Sequence, residues 1–184
     1  MGSREVAFMM NRAATDRFVA QATHAARSIS FKDPEGTARR IRKIVGARLE
    51  ALRPRVENAD KLLQRIKERE EAGELDEKTA RAEAVPAKVV KVMFNTLNAM
   101  FDKAEDPYTL GCVGLGADML SANLDRGLLR EEIYPQNKHD RKVAVEDRLA
   151  EGLDVYRSIL RGLDNTQQHL RVRIPEFPGP PVLH

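Results

Sequence analysis

The feature that most constrains this chain is an apolar seam spaced by heptads. Val45, Leu49, Leu52, Val56, Ala59, Leu63 and Ile66 follow one another at steps of four and three. A 3.5-residue period keeps one edge of a helix facing a partner, here over about six turns. The seam therefore calls for a long helix with another helix packed along it. Around its beginning stand Arg39, Arg40, Arg42, Lys43, Arg48, Arg53 and Arg55, against Glu50 alone between positions 38 and 56. The long helix thus carries a packing edge and a basic shoulder.

The core available to that edge is aliphatic. Of 184 residues 42% are hydrophobic, yet there is no Trp and there are only three Tyr and six Phe. Leu, Val, Ile, Met and Ala must do the packing, which suits a helix bundle better than a sandwich. The length suits one domain with an appendage. The net charge of +3 is too small for the whole molecule to attract nucleic acid, so only the local basic segment can. The lone Cys112 excludes an internal disulfide and a multi-cysteine zinc site. It stands among Leu110, Val113 and Leu115 and reads as a small buried hydrophobe. No apolar run approaches the roughly 20 residues needed to span a bilayer. Arg4 and Glu5 interrupt the start of the chain, which has no continuous apolar stretch of the signal-peptide kind. The expectation is a soluble, cytoplasmic protein with no membrane partner.

Along the chain, Ala7, Met10, Ala14, Phe18, Ala22 and Ala25 mark one face of a helix over 3–28. Asp33-Pro34-Glu35 restarts a helix: Asp caps, Pro fits the first position and Glu favours the positive end. The second helix spans 34–72. Pro54 falls inside it, but the seam stays in phase on both sides, so a kink is expected rather than a break. Gly73 is a left-handed cap and Asp76 the next N-cap. The third helix spans 77–104 through Pro86, polar before that proline and apolar on more than one face after it.

A helix of 34–72 would be about 58 Å long, whereas a compact domain of this size is about 40 Å across. The hairpin 45–85 is therefore expected to protrude, with Gly73 at its tip. Between Ile66 and Glu83 the acids Glu68, Glu70, Glu71, Glu74, Asp76, Glu77 and Glu83 outnumber Lys67, Arg69, Lys78 and Arg81. The arm is basic at its root and acidic at its tip, a layout that lets copies meet head-to-tail.

Asp106-Pro107 opens a fourth helix over 107–133, lined by Leu110, Val113, Ala117, Leu120, Leu124 and Leu128. Gly111, Gly114 and Gly116 crowd its first turns. Their order is wrong for a dinucleotide fingerprint and no Walker lysine follows, so they read as sites of close helix approach. After a turn at 134–137, a fifth helix over 138–163 faces inward through Val145, Leu149, Leu153, Tyr156, Leu160 and Leu163, with Asn165 as its cap. Leu170, Val172 and Ile174 then alternate with Arg171 and Arg173 as a short extended segment. Pro175 to Pro181 is polyproline-like.

The expected fold is all-α: a bundle of about five helices over 1–165 with a protruding, kinked antiparallel hairpin, and an extended Pro-rich tail over 166–184. No residue set calls for catalysis. His24, His139, His169 and His184 never fall three or four apart, and no H-E-x-x-H exists. Glu70-Glu71 and Glu131-Glu132 are adjacent, so their side chains diverge around a helix. The reading is a non-enzyme with no cofactor, no metal and no small-molecule substrate.

Two features remain. Arg39, Arg40, Arg42, Lys43 and Arg53 share the wheel face away from the seam; with Arg48 and Arg55 they offer cations to phosphates or to an acidic partner. Nothing supplies base readout, and scarce aromatics argue against stacked single strands. In the tail, Phe177, Val182 and Leu183 are the anchors for docking. The chain reads as a structural or adaptor subunit of a homo-oligomer or multi-subunit assembly, such as a virus particle. The alternative is a nucleic-acid-binding accessory protein using 39–55.

Overall fold

A computed structural model describes residues 33–173, and every element in them is helical. The helices are α1 (Pro34–Glu71), α2 (Glu77–Lys103), α3 (Pro107–Asp125) and α4 (Lys138–Arg173). The helix expected at 3–28 and residues 174–184 lie outside the described residues.

Three aspartates start three of the helices. Asp33 accepts from the Gly36 amide at 2.9 Å, Asp76 from Thr79 at 2.9 Å and Asp106 from Thr109 at 2.8 Å. Each satisfies an amide that the first turn leaves without a partner. Gly73 (φ +75°) and Gly127 (φ +82°) end α1 and α3 in the left-handed region. The Glu74 amide returns to the Arg69 carbonyl at 2.9 Å and the Leu128 amide to Asn123 at 3.2 Å, closing the last turns.

Two expected boundaries are corrected. The fourth expected helix ends at Asp125, not 133, because Gly127 turns the chain although Leu128 and Leu129 continue the apolar pattern. The last helix runs through Arg173, so Asn165 is not its cap and Leu170 and Val172 lie within helix. A formed helix adds one hydrogen bond per residue, and no Gly or Pro interrupts it between Gly162 and Pro175. A four-residue alternation is too short to override that.

Side-chain pairs set the topology. Arg42 meets Ala104 and Asp60 meets Lys91, so α1 and α2 are antiparallel. Arg48 pairs with Asp118 and Arg55 with Asp125, so α1 and α3 run the same way. Arg148 reaches Glu83 and Gly152 abuts Val85, so α4 runs with α2. Helices α2 and α3 each pack against both α1 and α4.

Val45, Leu49, Leu52, Val56, Ala59 and Ile66 are buried, as the seam requires, but Leu62 takes the deep position expected of Leu63, which is half-buried. Leu128 and Leu129 join the core after α3, and Arg65 of α1 pairs with Glu131 at that end. The hairpin therefore does not stand clear. Thr79 to Pro86, expected on an exposed polar stretch, are buried except for Arg81. Residues 128–134 and the first turns of α4 cover them. A helix of α1's length need not overhang here, because α4 is itself 36 residues long and lies beside α2.

Close approach explains the small residues. A Cβ on Gly116 would meet Leu97 Cδ2 at 2.6 Å and one on Gly114 would meet Val45 at 3.1 Å, whereas Gly111 has open space. At Gly152 the obstacle includes backbone: Val85 Cγ1 at 2.7 Å and the Pro86 nitrogen at 3.2 Å. Gly152→Ala is expected to cost about 1–3 kcal/mol by pushing α4 off α2. Chemical denaturation measures this, and a variant as stable as wild type would show that the contact can relax. Cys112 is buried between helices, and burial pushes its thiol up to about 11, so it packs as a hydrophobe. Among the described residues no helix is long and apolar enough to cross a membrane.

Candidate functional site

The basic segment does not form one free surface. Arg42 donates to the Ala104 carbonyl and lies over the Phe101 ring, 4.8 Å from its centroid. Arg53 holds Glu50 with two hydrogen bonds and leans toward Phe94. Both had been placed on the face away from the seam, but their long stems fold back across apolar surface on α2. Arg48 pairs with Asp118 at 2.8 Å. Arg55 pairs with Asp125 at 2.7 Å and donates to Ser121. Arg39, Arg40 and Lys43 are exposed and make no ion pair among the described residues. Beside them Ile44 is 54% exposed. The outer face of α1 continues through exposed Ala47, Ala51, Pro54, Asn58 and Lys61.

The most elaborate polar chemistry lies at the other end, beneath the segment after α3. Glu83 and Arg148 have side chains 0% and 1% exposed and face each other, Nε to Oε2, at 3.6 Å. Glu83 Oε1 accepts from the Glu132 amide at 3.0 Å, and Oε2 accepts from the Tyr134 hydroxyl at 2.6 Å. Arg148 donates to the carbonyls of Leu128 (3.1 Å) and Arg130 (2.7 Å) and to Glu151 (2.8 Å). Its Nε, too far from Glu83 for a hydrogen bond, has no hydrogen-bond partner. Arg130 grips Glu151 with two bonds of its own. Burial would raise the Glu151 carboxyl, but hydrogen bonds from Arg130 and Arg148 outweigh it and hold the group below the usual range. Burial, then the bond to Glu83, pushes the Tyr134 phenol up, so it stays a donor.

This network is a clamp: a carboxylate on α2 and a guanidinium on α4 together hold residues 128–134 as a strap. The side chain of Ile133, between two anchored residues, points outward and is 97% exposed. The strap forms one wall of a pocket of about 220 Å³, lined also by Arg69, Glu74, Leu75, Asp76, Thr79, Gln136 and Arg141. Arg141 donates to the Pro135 carbonyl at 3.0 Å and to Gln136 at 3.4 Å, both neutral, and makes no ion pair among the described residues.

Comparison with protein-family models, with curated proteins and with solved structures finds no match. The site must therefore be judged on its own chemistry. Among the described residues no group of His, Cys, Asp and Glu can hold a metal ion. The clamp's charges are taken up by one another and by the strap, which they hold in place. Sequence reasoning placed Glu83 among the solvated acids of the arm tip. The signal that finds the clamp is Arg148, which falls on the apolar line of α4 with Val145, Gly152, Tyr156 and Ile159. An arginine on a core line demands a buried acid. The tail residues Phe177, Val182 and Leu183 lie outside the described residues.

Proposed function

We propose that this chain is a structural or adaptor subunit of a larger assembly, a non-enzyme that docks protein partners through the outer face of α1 and through its tail. The observation that carries the reading is the fate of the seven cations. Four are spent on internal contacts, and the three left over, Arg39, Arg40 and Lys43, surround an exposed isoleucine. A mixed apolar and basic patch suits an acidic protein surface with an apolar centre, since charge sets orientation and the apolar contact supplies affinity.

The test is Arg39→Glu, Arg40→Glu and Lys43→Glu together. The side chains are exposed, so the melting temperature should stay within a few degrees of wild type. Association with other subunits should weaken at least tenfold, read by sedimentation. The nucleic-acid reading draws on the same three cations; for it, binding to a random-sequence duplex should fall steeply as salt rises and vanish in the variant. A variant that assembles normally and a wild type that ignores duplex would leave α1's outer face merely solvated.

A further inference from the structure

We infer that the pocket beneath the strap receives the segment around Phe177 of a second copy of this chain. The inference rests on the reading of the chain as an assembly subunit that docks through its tail, takes the partner to be another copy of this chain, and names the contact that self-assembly would use. Three observations carry it.

The first is the lip. Ile133 stands almost wholly in solvent, yet its neighbours are anchored by the Glu132 amide and the Tyr134 hydroxyl on buried Glu83. An exposed β-branched side chain held by a rigid backbone loses little freedom on binding, which suits an apolar anchor point. Leu75, itself packed in the core, shows only an edge in the same pocket.

The second is charge. Arg141 lines the pocket and hydrogen-bonds only neutral acceptors, while Arg69 holds Glu74 and Arg130 holds Glu132 there. The Thr79 amide holds the carboxyl of Asp76, in the same lining, below its usual range, and Arg141 is close enough to help. In the tail Glu176 immediately precedes Phe177. An aromatic ring against Ile133 therefore brings a carboxylate toward Arg141, where it joins Asp76 as a second acid on that guanidinium. Pro175 and Pro178 bracket the pair and fix the backbone, lowering the entropy lost on docking.

The third is reach, which selects the second copy. The pocket sits at Arg141, one turn into α4, and α4 continues to Arg173. Those 32 residues of helix carry the chain about 48 Å away. Phe177 is four residues past Arg173 and can return about 13 Å when extended, and even Leu183 returns about 33 Å. A chain cannot fill its own pocket with these residues; a neighbour can.

The experiment uses full-length chains with one added cysteine each, since Cys112 is buried and its thiol is pushed up. Chains carrying Gln136→Cys, at the pocket, are mixed with chains carrying Pro178→Cys and treated with a short bismaleimide. The expected product is a covalent heterodimer, at least tenfold more abundant than with Asn58→Cys on the outer face of α1. Adding Ile133→Asp to the Gln136→Cys chain should cut the yield at least fivefold, while its circular dichroism stays unchanged because residue 133 is exposed. Equal yields from positions 136 and 58, or insensitivity to Ile133→Asp, overturn the inference. So does intrachain linkage in a Gln136→Cys, Pro178→Cys double variant. Sedimentation of the wild type separates the two levels. A chain that stays monomeric sinks the self-assembly reading with the inference. One that associates without the 136–178 link sinks the inference alone.

Discussion

Aspartate at both Leu52 and Val56 is expected to abolish the folded state. Leu52 and Val56 lie on the buried edge of α1, in the core shared with α2 and α3. Each substitution removes apolar burial of about 1.5–3 kcal/mol and leaves a carboxylate without a partner, a penalty of several kcal/mol per ion. Together they are as large as the roughly 5–15 kcal/mol by which a domain is stable. Far-ultraviolet circular dichroism should show loss of most of the helix signal and of the cooperative melt. A double variant that melts like wild type would mean that the seam is not a core, and the packing described here would be wrong.

Arg148→Ala should produce the next largest loss, about 3–5 kcal/mol, because it leaves the Glu83 carboxyl buried and facing no cation. For a chain of this length that lowers the melting temperature by roughly 6–20 °C. It also frees the carbonyls of Leu128 and Arg130, so amide exchange in 128–134 should quicken more than in α1. The double change Glu83→Leu, Arg148→Met should be less harmful than Arg148→Ala alone, since it removes both charges. Thermal melts of the set decide the matter; single and double variants that lose stability additively would show that the two groups act independently. The pH dependence has a defined sign. Glu151 is held below its ordinary range by Arg130 and Arg148, so its contribution is present above the unfolded carboxyl range and fades as pH falls through the folded value. Tyr134 is raised, so its contribution is complete below the usual phenol range and is lost as pH rises beyond it. Stability should therefore decline on both the acid and the alkaline side.

The local grammar of the chain was legible. Asp33-Pro34, Gly73 and Asp76 bound α1 and open α2 where their chemistry says they should, because caps act within one turn. The glycines at 114 and 116 read correctly as close contacts because a missing side chain has few other uses inside a helix. Boundaries failed where two local signals competed. At Gly127 the apolar run through Leu129 hid a left-handed stop, and at Asn165 a possible cap was outweighed by an uninterrupted helix. The clamp was hidden for a different reason. Glu83 and Arg148 are 65 residues apart, and no spacing rule links them. Glu83 looked solvated because it belongs to an acidic stretch, and only tertiary packing distinguishes it from Glu77, which remains exposed. The basic shoulder was misjudged by the same limit. A wheel assigns directions to Cβ atoms, whereas the guanidinium of Arg42 or Arg53 travels several ångströms further and settles over an aromatic ring of α2.

Because α4 runs against α3, its last turns lie at the pole where α1 and α3 begin, while the strap and its pocket lie at the pole where they end. That polarity restricts the symmetry any tail-to-pocket assembly can have. Copies side by side in the same orientation place like poles together and cannot join. An antiparallel pair about a two-fold axis lets each copy give and receive once, and it closes at two. An end-to-end row leaves a tail unspent at one end and a pocket at the other, and it grows with concentration. If copies join in this way, a size distribution that stops at a dimer reports the two-fold pair, one that stops at a larger fixed number a closed ring, and one that lengthens with concentration the open row.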